Sequence, residues 1–353
     1  MSTPRDSTRR SFFGLSAGAA LLCTIGGEQV RVDDPRAARK ADALAAQVKR
    51  PPGAVPQDDL AFPTPSPQPG GTAREYWIRA RPVTWDVAPT RRDDWHDRPI
   101  TGPRKFKALA YQLMQPGFAG PARGAQIPGP TLFAEVGDTL VVHFRNELLS
   151  LRQAVTMHPH GVKYTPDYDG VYLGSHTRVG GFVAPGEEFT YTWEATPDSV
   201  GAWPYHDHGP NHTLNMARGL FGGIVVRPRG ARAPDVEHVL FLHQLLPPVT
   251  GIGRTFQAVN GRTAPGNTPT ITARTGQDVA LHVIGMDNNF HDFHIHGHRW
   301  RDPSGAHVDS PTVGPNESMT ARWREDNPGR WLYHCHVFSH QDAGMAGWYL
   351  VDQ

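Results

Sequence analysis

The 353-residue chain holds 19 histidines, most of them in four short clusters. These read His158-Pro159-His160-Gly161, His206-Asp207-His208, His291-x-x-His294-x-His296-Gly297 and His334-Cys335-His336-x3-His340-x4-Met345. In an extended segment, residues two apart point to the same face, so a His-x-His pair can offer two imidazoles in one direction. Neutral imidazole suits copper, zinc, iron and nickel. One such pair is more often a polar core pair than a site. Four pairs at related positions point to bound metal.

The last cluster narrows the choice. One thiolate (Cys335), two imidazoles (His291 and His340) and a thioether (Met345) make the trigonal set with a weak axial ligand that marks blue copper. Zinc has no use for the thioether, and iron–sulfur clusters want more cysteines. Cys335 also lies between His334 and His336. If those two bind a second copper group, the backbone is a short electron path between the sites.

Short β-branched segments separated by Gly and Pro turns must position these residues. Examples are Thr139-Leu140-Val141-Val142-His143-Phe144, Phe189-Thr190-Tyr191-Thr192-Trp193 and Val279-Ala280-Leu281-His282-Val283. No long segment of helical period appears past residue 72, which argues for β-sandwiches. Three pairs of segments then repeat in order. Glu135-Val136-Gly137-Asp138 is echoed by Thr275-Gly276-Gln277-Asp278, His158-x-His160-Gly161 by His294-x-His296-Gly297, and Trp203-x-Tyr205-His206-x-His208 by Trp331-x-Tyr333-His334-x-His336. The offsets of roughly 130 residues are about one sandwich domain, so two homologous domains are expected, at residues 72–230 and 231–353.

Composition removes other classes. Thirty-five basic against 34 acidic residues leave no charge excess of the kind a nucleic-acid binder needs. No apolar run is long enough for a spanning helix. Two cysteines cannot staple a secreted scaffold. Thr8-Arg9-Arg10-Ser11-Phe12-Phe13, ahead of a short apolar stretch, resembles a bacterial twin-arginine signal, so residues 1–27 are expected to direct export to the periplasm or the medium. Losing them would leave Cys335 as the sole cysteine, a free thiol or a metal ligand. Residues 28–71, with a short helix-compatible run from Ala37 to Val48 and then Pro-rich repeats, are expected to be a largely disordered spacer.

Together the four clusters resemble the signature of the multicopper oxidase family, and the two-domain length is most similar to the bacterial small laccases. The resemblance covers residues 72–353 with every ligand position filled. It implies an all-β fold of two cupredoxin-like Greek-key β-sandwich domains. It also implies a type 1 copper on His291, Cys335, His340 and Met345, and a type 2 copper on His158 and His294. One type 3 copper would take His160, His206 and His336, the other His208, His296 and His334. Electrons from a small aromatic donor would pass through Cys335, His334 and His336, and O2 would be reduced to water. The resemblance further implies a homotrimer with the three-copper cluster between subunits. Asp169 would relay protons, and Tyr164 would be redox-active or hydrogen-bonding.

In the first domain Asp207 stands at the cysteine position, Leu220 at that of Met345 and Val155 at that of His291. No blue copper is expected there, and His212 is expected to be no ligand. The remaining histidines (His96, His143, His176, His238, His243, His282, His298 and His307) are read as ordinary. Seven methionines without a dense tract argue against Met-rich copper-handling oxidases. Asp287, Asp292 and Asp342 keep a ferroxidase open, while copper nitrite reductase or a non-enzymatic exported protein of this fold fits less well.

Overall fold

The computed structural model describes residues 20–52 and 62–353. Strict alternation of buried and exposed side chains begins at Leu21 and produces a hairpin, β1 (Leu21–Ile25) against β2 (Glu28–Val32). A helix follows, α1 (Pro35–Ala45). Asp34 caps it by accepting from the Arg36 and Ala37 N–H groups, and Pro35 fits the first turn. This differs from the expected spacer. Leu21, Cys23, Ile25, Ala38, Ala41 and Ala45 form a small core with Leu214, Leu246 and Val249 of the main body. The Pro-rich stretch is also bound: Phe62 lies under Arg178, Thr64 Oγ1 bonds Tyr168 Oη (3.0 Å), and the Gln68 N–H donates to the Gly137 carbonyl (2.9 Å). The paired arginines at 9 and 10 lie outside the described residues, but β1 falls inside the segment expected to be an export signal.

Asp42 of α1 anchors this arm. It accepts from both Arg218 terminal nitrogens (2.6 and 2.8 Å) and from Gln153 Nε2 (2.8 Å), and the Asp42–Arg218 pair is largely buried. Arg218→Ala leaves that carboxylate without its partner, at a cost of about 3 kcal/mol in docking the arm. Native-state proteolysis within α1 should then run about a hundredfold faster. An unchanged rate would show that the ion pair does not hold the arm.

The first sandwich uses β3 (Ala73–Asp86), a small hairpin β4 (Arg92–Asp93) and β5 (Arg98–Pro99), then β6 (Lys105–Met114), β7 (Leu132–Glu135), β8 (Thr139–Asn146), β9 (His158–Pro159), β10 (Glu188–Glu194), β11 (Gly201–His206), a helix α2 (His212–Ala217) and β12 (Phe221–Arg227). Its two sheets have the orders β10-β8-β3-β6 and β7-β12-β11-β9. The second sandwich runs through β13 (Val236–Leu245), a turn of helix α3 (Pro247–Thr250), β14 (Phe256–Val259), β15 (Ile271–Arg274), β16 (Asp278–Gly285), β17 (His291–Ile295), the short β18 (Trp300–Arg301), β19 (His307–Val308) and β20 (Thr312–Val313), then β21 (Ser318–Arg324), β22 (Gly329–Cys335), a helix α4 (Phe338–Gln341) and β23 (Ala346–Asp352). Its sheets, β14-β13-β16-β21 and β15-β23-β22-β17-β20, repeat the first pair strand for strand, with β20 added at one edge. The sequence repeat is therefore a repeat of topology.

Each sandwich has its own core, centred on Phe144, Tyr191 and Trp193 in the first and on Leu281, Phe293 and Tyr333 in the second. A third core joins them, with Trp85, Phe106 and Phe221 packed against Phe241, Phe256 and Ile284. An apolar seam of buried aromatics fixes the two sandwiches relative to each other. Among the described residues no helix is long and apolar enough to cross a membrane.

Candidate metal centres

Cross-strand pairing brings the histidines together. In the first sandwich His158 of β9 faces His206 of β11, and in the second His294 of β17 faces His334 of β22. The glycine that follows each His-x-His has a reason. Gly161 (φ 71°) and Gly297 (φ 74°) turn left-handed, where an added Cβ would collide with the Trp203 ring in the first case and with Asn327 Nδ2, beside the Trp331 ring, in the second. That turn sends the chain away just after the second imidazole.

His291, Cys335 and His340 converge at one end of the second sandwich, all buried. Cys335 Sγ lies 3.7 Å from His291 Nδ1 and 3.6 Å from His340 Nδ1. A first-row metal about 2.0 Å from nitrogen and about 2.3 Å from sulfur, in trigonal array, separates the two by about 3.7 Å, so the pocket has the right span. Met345 is fully buried beside them. Its carbonyl accepts from the Cys335 N–H (3.0 Å) and its N–H donates to the His340 carbonyl (3.0 Å). Burial would raise the Cys335 thiol, but the His291 and His340 contacts outweigh it and bring the group down to about 6, toward the thiolate a soft metal needs. Burial likewise disfavours charge on His291, yet Asp287 and Cys335 hold it up at about 9. Asp287 Oδ1 sits 3.2 Å from His291 Nε2, which leaves Nδ1 to face the sulfur. A cation among these donors would replace the proton.

The four histidines of the first sandwich form a tight group, with ring centroids 4.9 Å (His158–His160), 5.1 Å (His160–His206), 5.3 Å (His158–His208) and 5.7 Å (His206–His208) apart. The second sandwich copies it, with 5.3 Å for His294–His296, 5.2 Å for His296–His334 and 5.3 Å for His334–His336. Outward nitrogens are fixed by carbonyls. His158, His206, His294 and His334 each donate Nδ1–H to a backbone oxygen, of Asp169 (2.7 Å), Asp207 (2.9 Å), Asp309 (2.8 Å) and Cys335 (3.0 Å). A carbonyl can only accept, so Nε2 of each ring carries the lone pair; those of His206 and His334 lie 3.0 and 3.1 Å from the Nε2 atoms of His160 and His296. Burial, aided by neighbouring imidazoles, holds His160, His208 and His334 near 4 and His206 well below its ordinary value. Neutral rings with inward lone pairs are the metal-binding form. His208 Nδ1 is buried with no hydrogen-bond partner, an orphan that a ligand bond would satisfy.

Within one chain the two groups stay apart: among the described residues no ring contact joins them. Asn316 of the second sandwich sits 3.2 Å from His160, and Trp95, beside β4, lies 6.3 Å from the His334 ring. His296 and His336 are exposed. Phe338 is exposed and its ring lies 5.7 Å from that of His336; Leu173, Val179 and Phe290 are exposed as well.

Asp169 Oδ1 lies 3.1 Å from His158 Nδ1, and the Tyr164 ring is 5.9 Å from that of His158. Burial and Asp169 raise the Tyr164 phenol. Asp207, at the cysteine position of the first sandwich, is buried and saturated by the Thr156 N–H (2.8 Å), the Gly209 N–H (3.0 Å) and Asn215 Nδ2 (2.9 Å). Val155 and Leu220 are core residues, and His212 stacks on His208 at 4.4 Å. Asp292 accepts from Thr312 (2.7 Å) and Asp342 is exposed, so neither joins Asp287 at His291. His298, read as ordinary, instead bridges the His296 carbonyl (2.8 Å) and the buried Glu325 (3.1 Å). The sequence carried no signal for Glu325 or Trp95, because no motif includes them.

Known proteins share this architecture. A crystal structure of a multicopper oxidase superposes with a TM-score of 0.63 at 26% identity, covering 82% of this chain and 93% of that one. A probable nitrite reductase–hydroxylamine oxidoreductase fusion protein of Kuenenia stuttgartiensis is 30% identical over 247 residues, which is 64% of this chain and 28% of the fusion. The Homo sapiens ferroxidase HEPHL1 is 27% identical over 348 residues, 80% of this chain and 30% of its own length. The chain thus spans under a third of either relative. Two family profiles, both described as multicopper oxidase, match residues 122–231 and 242–353, one on each sandwich and together over most of the chain. With a family profile on each of the two repeats that carry the histidines, the chain belongs to the multicopper oxidase family.

Proposed function

We propose that the protein is a laccase-like oxidase, coupling one-electron oxidation of small phenols or aromatic amines to reduction of O2 to water. The observation that carries this reading is the placement of Cys335 between His334 and His336, one peptide from each. His291, Cys335, His340 and Met345 would hold a type 1 copper, and His158 with His294 a type 2 copper. His160, His206 and His336, and likewise His208, His296 and His334, would hold the type 3 pair. Copper so bound supplies one-electron acceptance at the thiolate site and multi-electron reduction of dioxygen at the cluster.

The chain's own part is geometric. Cys335 connects to His334 through the backbone and again through the Cys335 carbonyl, which accepts from His334 Nδ1 at 3.0 Å. Asp169, beside His158 Nδ1, is suited to hold and pass protons, with Tyr164 next to it. Each chain has two four-imidazole groups that do not meet, and His296, His336 and the neighbouring Phe338 are exposed. That supports a ring-closed homotrimer, joining the first sandwich of one subunit to the second of the next. The paired arginines support export, to the periplasm or the medium, by the twin-arginine route.

A metal-ion oxidase is the second reading, favoured by the likeness to a ferroxidase and by Asp287 at His291 Nε2. Copper counting, visible and EPR spectra and solution mass test the proposal together. About four coppers per chain, a thiolate charge-transfer band, only about half of the copper EPR-visible and a trimeric mass are expected. A single copper per chain after full loading would remove the oxidase reading.

A further inference from the structure

Two turns of the chain copy each other. Val183-Ala184-Pro185-Gly186-Glu187 leads into β10, and Val313-Gly314-Pro315-Asn316-Glu317 leads into β21. In each, the glutamate carboxylate accepts from the N–H three residues back, that of Ala184 (3.0 Å) or Gly314 (2.8 Å). In each, the residue before the glutamate is left-handed, Gly186 at φ 87° and Asn316 at φ 63°. Their N–H groups also match, donating to the Asn146 (2.7 Å) and Gly285 (2.8 Å) carbonyls. Glycine is the default for that conformation, so the turn itself has no need of the asparagine side chain.

That side chain reaches the first sandwich. Ser318, two residues on, donates to the Ala202 carbonyl of β11 (2.5 Å), which sets the turn against the strand that carries His206. Asn316 Nδ2 lies 3.2 Å from both His160 Nδ1 and His160 Nε2. Equal distances put the amide over the ring rather than in line with either nitrogen. Among the described residues no backbone carbonyl takes a ring hydrogen from His160, and Asn316 is its polar partner outside the imidazoles. His160 also differs from its neighbour in where its hydrogen sits. His206 gives Nδ1–H to the Asp207 carbonyl, so its Nε2 is bare, and His160 Nε2, 3.0 Å away, must supply the hydrogen between them. A metal on His160 Nε2 requires that hydrogen on Nδ1 instead.

We propose that Asn316 is the positioning residue for His160: its amide holds the ring, and turned over it presents Oδ1 to accept Nδ1–H, leaving Nε2 for copper. The proposal rests on the copper-cluster reading above and adds which side chain of the second sandwich readies a ligand of the first. A backbone carbonyl locks one tautomer, whereas an amide can donate or accept and so serves the ring in both. The hydrogen leaves Nε2 and returns at Nδ1 by way of water, with no net change of charge.

The test compares Asn316→Gly and Asn316→Asp with wild type, as copper-loaded full chains. Glycine is the residue that the repeat uses at this turn, so the copper-free thermal midpoint and the solution mass should match wild type. Copper should nevertheless leave for EDTA about tenfold faster or more, the usual scale for removing a ligand's hydrogen-bond partner. The ion lost should be one of the proposed type 3 pair. Total copper then falls by about one ion per chain while EPR-visible copper rises by about one, because the remaining member is no longer coupled. Aspartate keeps the shape and an oxygen acceptor and tolerates the left-handed turn, so it should restore copper retention and the wild-type EPR.

Unchanged loss to EDTA in the glycine variant overturns the proposal. So does a loss that aspartate fails to restore, or a fall in EPR-visible copper, since the missing ion would not be one held by His160. A lowered midpoint or altered solution mass in the glycine variant assigns the side chain to folding or to a subunit contact and overturns it too. If the wild type oxidises no phenol while fully copper-loaded, the oxidase reading fails separately, and the EDTA comparison still decides Asn316. A wild-type chain that takes copper only at the thiolate site overturns both.

Discussion

Cys335→Ser will erase the thiolate absorption and cut donor oxidation by about a thousandfold or more, while copper at the histidine cluster remains. The sulfur is the centre of its site: His291 Nδ1 and His340 Nδ1 approach it at 3.7 and 3.6 Å, and among the described residues no carboxylate joins the three. Those contacts bring the thiol down to about 6 even though burial opposes ionisation. A serine hydroxyl in that place stays protonated and is a hard, weak ligand, so two imidazoles and a thioether are left to hold the ion. Copper content should fall by about one ion per chain. His158, His206, His294 and His334 keep their carbonyl partners, so EPR of the remaining copper should be little changed. Oxygen uptake with guaiacol, copper content and the visible spectrum read all three consequences. Undiminished oxygen uptake by the serine variant would mean that electrons reach the cluster by another route.

The histidine clusters were legible because ligands on adjacent extended strands must sit two residues apart, and a duplicated fold writes them twice. The same spacing explains why Asp207 reads as a lost cysteine: its partners, Thr156, Gly209 and Asn215, fill the position with hydrogen bonds. The packing of the N-terminal arm was not legible, for a physical reason. Its own composition buries little, but Leu21, Cys23 and Ile25 find apolar partners at Leu214, Leu246 and Val249, far along the chain and on both sandwiches. Asp42 looks like a solvated charge on a helix until Arg218 comes beside it. Nor could local patterning tell whether the two imidazole groups meet within a chain. That depends on the aromatic seam of Trp85, Phe221, Phe241 and Phe256, which holds the groups apart.

Glu325→Ala should be the most damaging change away from the proposed copper ligands, costing about 3–5 kcal/mol near neutral pH. The carboxylate is almost wholly buried. Oε1 accepts from His298 Nε2 (3.1 Å) and from the N–H groups of Asp326 (3.0 Å) and Asn327 (2.9 Å), and Oε2 from Trp323 Nε1 (2.9 Å) and the Tyr349 hydroxyl. Alanine would strand all five donors and a void together. Burial by itself would raise this carboxyl, but the bonds from His298, Tyr349, Asn327 and Trp323 outweigh it and hold the group at about 2, below its usual 4.5. The linkage has a definite sign. A depressed carboxylate stabilises the fold above its unfolded value, and that contribution, about 3 kcal/mol, fades as pH falls from 4.5 through 2. The stability gap between wild type and Glu325→Gln should therefore be wide at neutral pH and narrow sharply below pH 4, in urea unfolding followed by tryptophan fluorescence. A gap that stays constant with pH would mean that the charge contributes nothing and the cost is packing alone. Because His298 also bonds the His296 carbonyl at 2.8 Å, the alanine variant should loosen one ring of the second imidazole group. That would appear as weaker copper retention against a chelator, whereas Tyr349→Phe, which removes one donor and leaves His298 in place, should retain copper normally.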